Sequence, residues 1–196
     1  AVSSGNLETS QRIVDILLLA LKDLLPEQIP AQGQGTMNNL AMGWKGKTYY
    51  ETIAGGMGAG ASWDGASAVH VHMTNTANTP TEVLETAYPV RVLKTELRDG
   101  SGGNGLNAGG MGVTRELLLL EEAIVSIQSE RRRFPPRGIA GGGDAMCGCN
   151  LLRRIDGAEV KLPGRYTFKA LKGETVIIKT PGGGGWGYPP LNPCEP

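Results

Sequence analysis

Residues 64–85 read DGASAVHVHMTNTANTPTEVLE. Within them Ser67 to Met73 alternates strictly, with Val69, Val71 and Met73 toward one face and Ala68, His70 and His72 toward the other. A period of two predicts a strand. Such a strand sends both imidazoles out of the same face, and it is one of about eight to ten short strands that make the protein mainly β. The run Thr74, Asn75, Thr76, Asn78 and Thr79 follows where that strand ends, so hydrogen-bonding side chains gather at one edge.

Outward from this stretch the chain alternates short strand-like runs with glycine clusters. Lys47 to Ile53 carries Thr48, Tyr49 and Tyr50, which favour strands, and GGMGAG at 55–60 ends it. Pro89 to Leu97 predicts a strand, a glycine-rich turn system fills 100–112, and Val113 to Leu120 and Ala123 to Ser129 flank Glu121-Glu122 as a predicted hairpin. The adjacent Pro135 and Pro136 cannot continue a sheet ladder. Further runs are Asn150 to Ile155, an Asp156-Gly157 turn, Glu159 to Leu162 and Glu174 to Lys179, before PGGGGWG at 181–187.

Upstream, Asn6 to Leu25 has a helical period. Asn6 is the predicted N-cap, Ile13, Ile16, Leu17, Ala20, Leu21 and Leu24 form the apolar stripe, and Leu18 and Leu19 widen it. A stripe this wide predicts burial on more than one side, against its own domain or a further part of a longer chain; Pro26 stops the helix. The fold class is α+β, mainly β: one N-terminal helix followed by a glycine-rich, mostly antiparallel β domain. Residues 1–196 form a single domain, with helix and linker at 1–30 and the β-rich region at 31–196.

Composition narrows the function classes. Lysine plus arginine and aspartate plus glutamate each number 19, so no long-range field calls for nucleic acid or a membrane surface. The longest apolar run, Ile16 to Leu21, is far below the roughly 20 residues of a membrane span. Three cysteines are no disulfide scaffold, and the expected setting is reducing and cytoplasmic. Thirty of 196 residues are glycine, about double the usual share of roughly 7%. No Walker lysine follows them and no GxGxxG joins a clear strand to a helix, so tight turns and close backbone packing explain them better than phosphate binding.

His70 and His72 leave three readings open: a shared metal, a hydrogen-bonding or general-base role, or structural histidines. A metal site needs three or four ligands, and the nearest acidic residue is Asp64, so no metal ligand is assigned. Asn38 and Asn39 of the QGTMNN loop, with Asn75, Thr76 and Asn78, suit recognition of amide N–H and C=O groups, or the capping of turns. Arg131, Arg132 and Arg133 can clamp an anion or pair with surface or subunit carboxylates, and the second is preferred. Cys147-Gly148-Cys149 lacks the spacing of common zinc or redox pairs.

Six motifs in order carry a resemblance: GNLETSQR from Gly5, QGTMNN from Gln34, DGASAVHVHMTNTANTP from Asp64, SGGNG with GGMG between Ser101 and Gly112, RRRFPPRGIAGG from Arg131, and PGGGGWG from Pro181. Together they resemble the hydantoinase B/oxoprolinase family, the B subunits of ATP-dependent N-methylhydantoinases and the matching region of 5-oxoprolinases. The resemblance implies hydrolysis of a cyclic amide, activated by phosphorylation with ATP bound on a separate hydantoinase A-like subunit or domain. It also implies that this chain is the C-terminal part of a longer B subunit, whose acidic and histidine metal ligands lie in an upstream portion. ATP and a divalent metal are accordingly expected outside this chain. The function so implied is one wall of the ring-opening site, with His70 and His72 catalytic, Asn38, Asn39, Asn75, Thr76 and Asn78 binding substrate, and glycine-turn N–H groups available to developing negative charge. The alternatives are a subunit of a related acetone- or acetophenone-type carboxylase, or a non-catalytic scaffold docking onto the A subunit.

Overall fold

The computed structural model describes residues 8–190, so the predicted N-cap Asn6 lies outside the described residues. Helix α1 (Ser10–Leu21) precedes a hairpin of β1 (Asn39–Trp44) and β2 (Lys47–Thr52). A short helix α2 (Thr81–Ala87) leads into β3 (Val90–Arg98), β4 (Gly112–Leu119) and β5 (Ala123–Gln128). The last strands are β6 (Cys149–Arg153), β7 (Glu159–Leu162), β8 (Arg165–Ala170) and β9 (Thr175–Lys179). They form two antiparallel sheets, ordered β2-β1-β5-β8 and β3-β4-β9-β6-β7. The α+β, mainly β class is as the sequence predicts, with α2 as a second helix.

One core lies between the sheets. Leu40 and Met42 of β1 and Val125 and Ile127 of β5 meet Leu117 and Leu119 of β4 and Val176 and Ile178 of β9, while Leu84 of α2 closes one end. In β5, residues 123, 125 and 127 are buried while those between them are not, the alternation that one covered face requires. A buried ion pair also bridges the sheets: Arg115 Nε of β4 stands 3.2 Å from Glu51 Oε2 of β2.

Several expectations need correction. Residues 67–73 form no strand; they hold one bridge, Val69 to Gly55. Ala68 and His72 both take φ 55°, a left-handed conformation that a pleated strand cannot contain. The predicted β4–β5 hairpin is absent, because β4 pairs with β3 and β9 while β5 pairs with β1 and β8. Glu121 and Glu122 mark the crossing between sheets. The Asp156-Gly157 turn does join β6 to β7, with Gly157 at φ 87°.

Helix α1 sits the opposite way round from its apolar stripe. Gln11 and Asp15 are its buried residues, whereas Ile13, Ile16 and Leu17 are 51%, 58% and 59% exposed. Only Leu18 and Leu19 pack inward, against a small cluster of Ile29, Ala31 and Ile139 with Trp186. The helix presses a polar edge onto the body of the molecule. No helix among the described residues is long and apolar enough to cross a membrane.

The glycine clusters form a layer of their own, backbone against backbone. Gly103 N donates to Gly183 O, Gly183 N to Gly110 O, Gly110 N to Met57 O and Ala59 N to Gly184 O, at 2.8 to 2.9 Å. A Cβ at Gly183 would stand 1.9 Å from Met57 O, and one at Gly109 would stand 1.8 Å from Gly183 O. Only glycine permits that approach.

Candidate functional site

The irregular backbone of residues 69–74 is held from two sides. Beneath it, Val69 N donates to Gly55 O and Gly55 N to Val69 O. From above, Gln11 Nε2 of α1 donates to Val71 O and to Thr74 Oγ1, each at 2.9 Å. Thr74 Oγ1 donates in turn to Val71 O at 2.8 Å. The His72 turn is thereby fastened to the first helix.

This fixing opens a cavity of about 250 Å³ lined by Pro30, Ala31, Gly33, Met57, Gly58, His70, Val71 and His72. Its walls are apolar apart from the two imidazoles and backbone groups. The histidines thus reach one cavity by turn geometry rather than by strand alternation. A small recess behind it adds Asp15, Leu18, Leu19 and Gln32, with Pro30, Ala31 and His72 shared.

The two imidazoles stand in different settings. His70 Nε2 lies 3.1 Å from Thr76 Oγ1, which also bonds Thr52 Oγ1. Its Nδ1 is buried and makes no hydrogen bond among the described residues. Burial lowers the His70 pKa below its ordinary value, so the ring is neutral and able to accept a proton at neutral pH. His72 Nε2 instead faces Asp15 Oδ1 at 3.4 Å, its side chain 19% exposed and that of Asp15 1%.

Asp15 belongs to a buried charge cluster. Arg131 Nη2 donates to Asp15 Oδ2 at 2.6 Å and to Gln32 Oε1 at 3.1 Å. Arg12 Nη1 approaches the same Asp15 oxygen at 3.4 Å. Arg132 turns inward too, donating to Asn38 Oδ1 and Asn150 Oδ1, and burial pushes its pKa down to about 10. The preference for surface or subunit partners therefore fails for Arg131 and Arg132. Arg133 lies over the Phe134 ring, 5.3 Å from its centroid.

The asparagines divide. Asn38 is buried at φ 49° and donates to Gln34 Oε1 and Ile53 O. Asn39 donates to Glu8 Oε1 and accepts from Tyr50. Both stand behind the site and outside the cavity lining. Asn75 and Asn78 are exposed and outside the cavity lining, and Thr76 reaches the site through His70. Glu8, whose carboxyl burial pushes up, collects Thr36 Oγ1, Met37 N and Asn39 Nδ2.

Asp15 and Gln11 escape the sequence reading. Their signal is two polar residues, Gln11 and Asp15, spaced four apart in the helix, which puts both on one face. Among the described residues no three His, Cys, Asp or Glu side chains converge to hold a metal ion. Asp64, the acidic candidate, accepts instead from Ala108 N. Of the glycine N–H groups, those of Gly56, Gly103, Gly110, Gly183, Gly184 and Gly185 are taken up by backbone carbonyls.

Comparison with known proteins matches residues 1–189 to the family described as hydantoinase B/oxoprolinase. The 5-oxoprolinase 1 of Arabidopsis thaliana is 46% identical over 95% of this chain and 14% of its own length. The 5-oxoprolinase of Dictyostelium discoideum gives the same identity and the same coverage. Among solved structures, the ATP-dependent caprolactamase from Pseudomonas jessenii superposes with a TM-score of 0.74 at 29% identity, covering 88% of this chain and 33% of that one. The chain thus spans a third or less of these relatives.

Proposed function

The chain belongs to the hydantoinase B/oxoprolinase family, and on that premise we propose that it supplies one wall of the site at which an ATP-dependent enzyme opens a cyclic amide. The observation that carries this reading is the cavity of about 250 Å³ onto which both histidines open. It is smaller than the roughly 300–1,000 Å³ of drug-sized sites, in keeping with a single small ring. Apolar walls suit the ring methylenes, and His70 and His72 are the side chains of the lining able to transfer protons during ring opening.

His70, neutral through burial, accepts a proton. Thr76 holds its Nε2 side. Asn38 and Asn39 support the wall from behind, and the exposed Asn75 and Asn78 meet the part of the substrate that leaves the cavity. ATP, and any metal that orders it, bind on parts of the larger protein outside this chain. The outward apolar residues of α1 contact those parts, including an A-type subunit or domain.

His70 and His72 are the only histidines of this chain, so residue-resolved carbethoxylation tests the reading. In the full-length enzyme, a cyclic amide substrate with ATP should slow modification at both. Equal rates with and without substrate would remove the ring from this cavity.

A further inference from the structure

We propose that Asp15 is a positioning residue for His72, holding its Nε2–H so that Nδ1 is left as the basic nitrogen. This rests on the reading of His72 as a proton-transfer group. Three observations carry it. Asp15 Oδ1 is buried and makes no hydrogen bond among the described residues, yet it faces His72 Nε2 at 3.4 Å, so the imidazole N–H is the donor available to it. His72 takes φ 55°, a conformation that costs a non-glycine residue and persists where surrounding contacts impose it. Those contacts come from α1, where Gln11 grips Val71 O and Thr74 Oγ1 one turn before Asp15.

The other half of the carboxylate is occupied. Arg131 Nη2 holds Asp15 Oδ2 at 2.6 Å, which fixes the carboxylate's rotation so that Oδ1 points at the ring. A helix otherwise turned outward thus buries two polar side chains to set one histidine. The pattern is the general one of a base oriented by a third group.

The test is a double-mutant cycle in the full-length enzyme, with kcat and KM of cyclic-amide opening as readouts. Asp15→Asn should lower kcat about 10- to 100-fold, the range seen when an outer orienting partner is lost, with KM little changed. In a His72→Ala background the same substitution should have no further effect, since residues acting as a unit are non-additive. An equal loss in both backgrounds would make Asp15 structural only and overturn the inference. A His72→Ala enzyme with full activity would instead overturn the role of His72 itself. Should Asp15→Asn fail to fold because Arg131 is left unpaired, Asp15→Asn with Arg131→Gln removes both charges and takes its place in the cycle.

Discussion

His70 and His72 are neighbours in sequence held by unrelated means, one by a Thr52–Thr76 hydroxyl chain and the other by a carboxylate from α1. The difference has a pH consequence. Because burial lowers the His70 pKa in the folded state, the unfolded chain binds the proton more readily. The stability contributed is present above the ordinary value of about 6.5 and is lost as pH falls through it toward the folded value. Thermal unfolding should therefore fall more steeply with acidification in the wild type than in His70→Gln, and parallel curves would argue against a desolvated imidazole. The histidine pair is legible in the sequence as its only two imidazoles, though the turn that brings them to one cavity is not. Asp15 is not, because what joins it to His72 is the packing of a helix onto a turn far along the chain.

Helix α1 shows where pattern reading goes astray. An apolar stripe normally marks the inward face, and here Ile13, Ile16 and Leu17 point out while Gln11 and Asp15 point in. The expected burial of the stripe does not hold among the described residues, where it faces outward. Ile16→Glu with Leu17→Glu should thus shift unfolding of this chain by no more than about 0.5 kcal/mol, as for ordinary surface changes. Assembly with the rest of the larger protein, followed by sedimentation, should weaken; unchanged assembly would leave the helix face without a partner. The strands are more legible: β3, β4, β5, β6, β7 and β9 follow runs of apolar and β-branched residues. The β4–β5 pairing is misread because two polar glutamates look the same in a hairpin turn and in a crossing between sheets. Strand β1 is hidden behind the QGTMNN loop and β8 behind a polar, mixed sequence.

At the scale of the molecule, the motifs that mark the family in sequence are those that touch in space. Glu8 and Gln11 of the first motif bind Thr36, Met37 and Asn39 of the second and Val71 and Thr74 of the third. Arg131 and Arg132 of the fifth reach Asp15 of α1 and Asn38, and the glycines of the fourth and sixth stack on each other. Close backbone packing is legible in the glycine excess; the layer it builds, which floors the cavity with Met57 and Gly58, is not, because no side chain records the contacts. What this architecture holds still is one face of a small cavity with two imidazoles. The central measurement is ring opening coupled to ATP cleavage in the full-length enzyme carrying His70→Ala or His72→Ala. Each variant should cleave ATP yet lose at least about 100-fold in ring opening, the lower end of general acid–base contributions. Ring opening at the wild-type rate in both variants would contradict a catalytic wall in this chain.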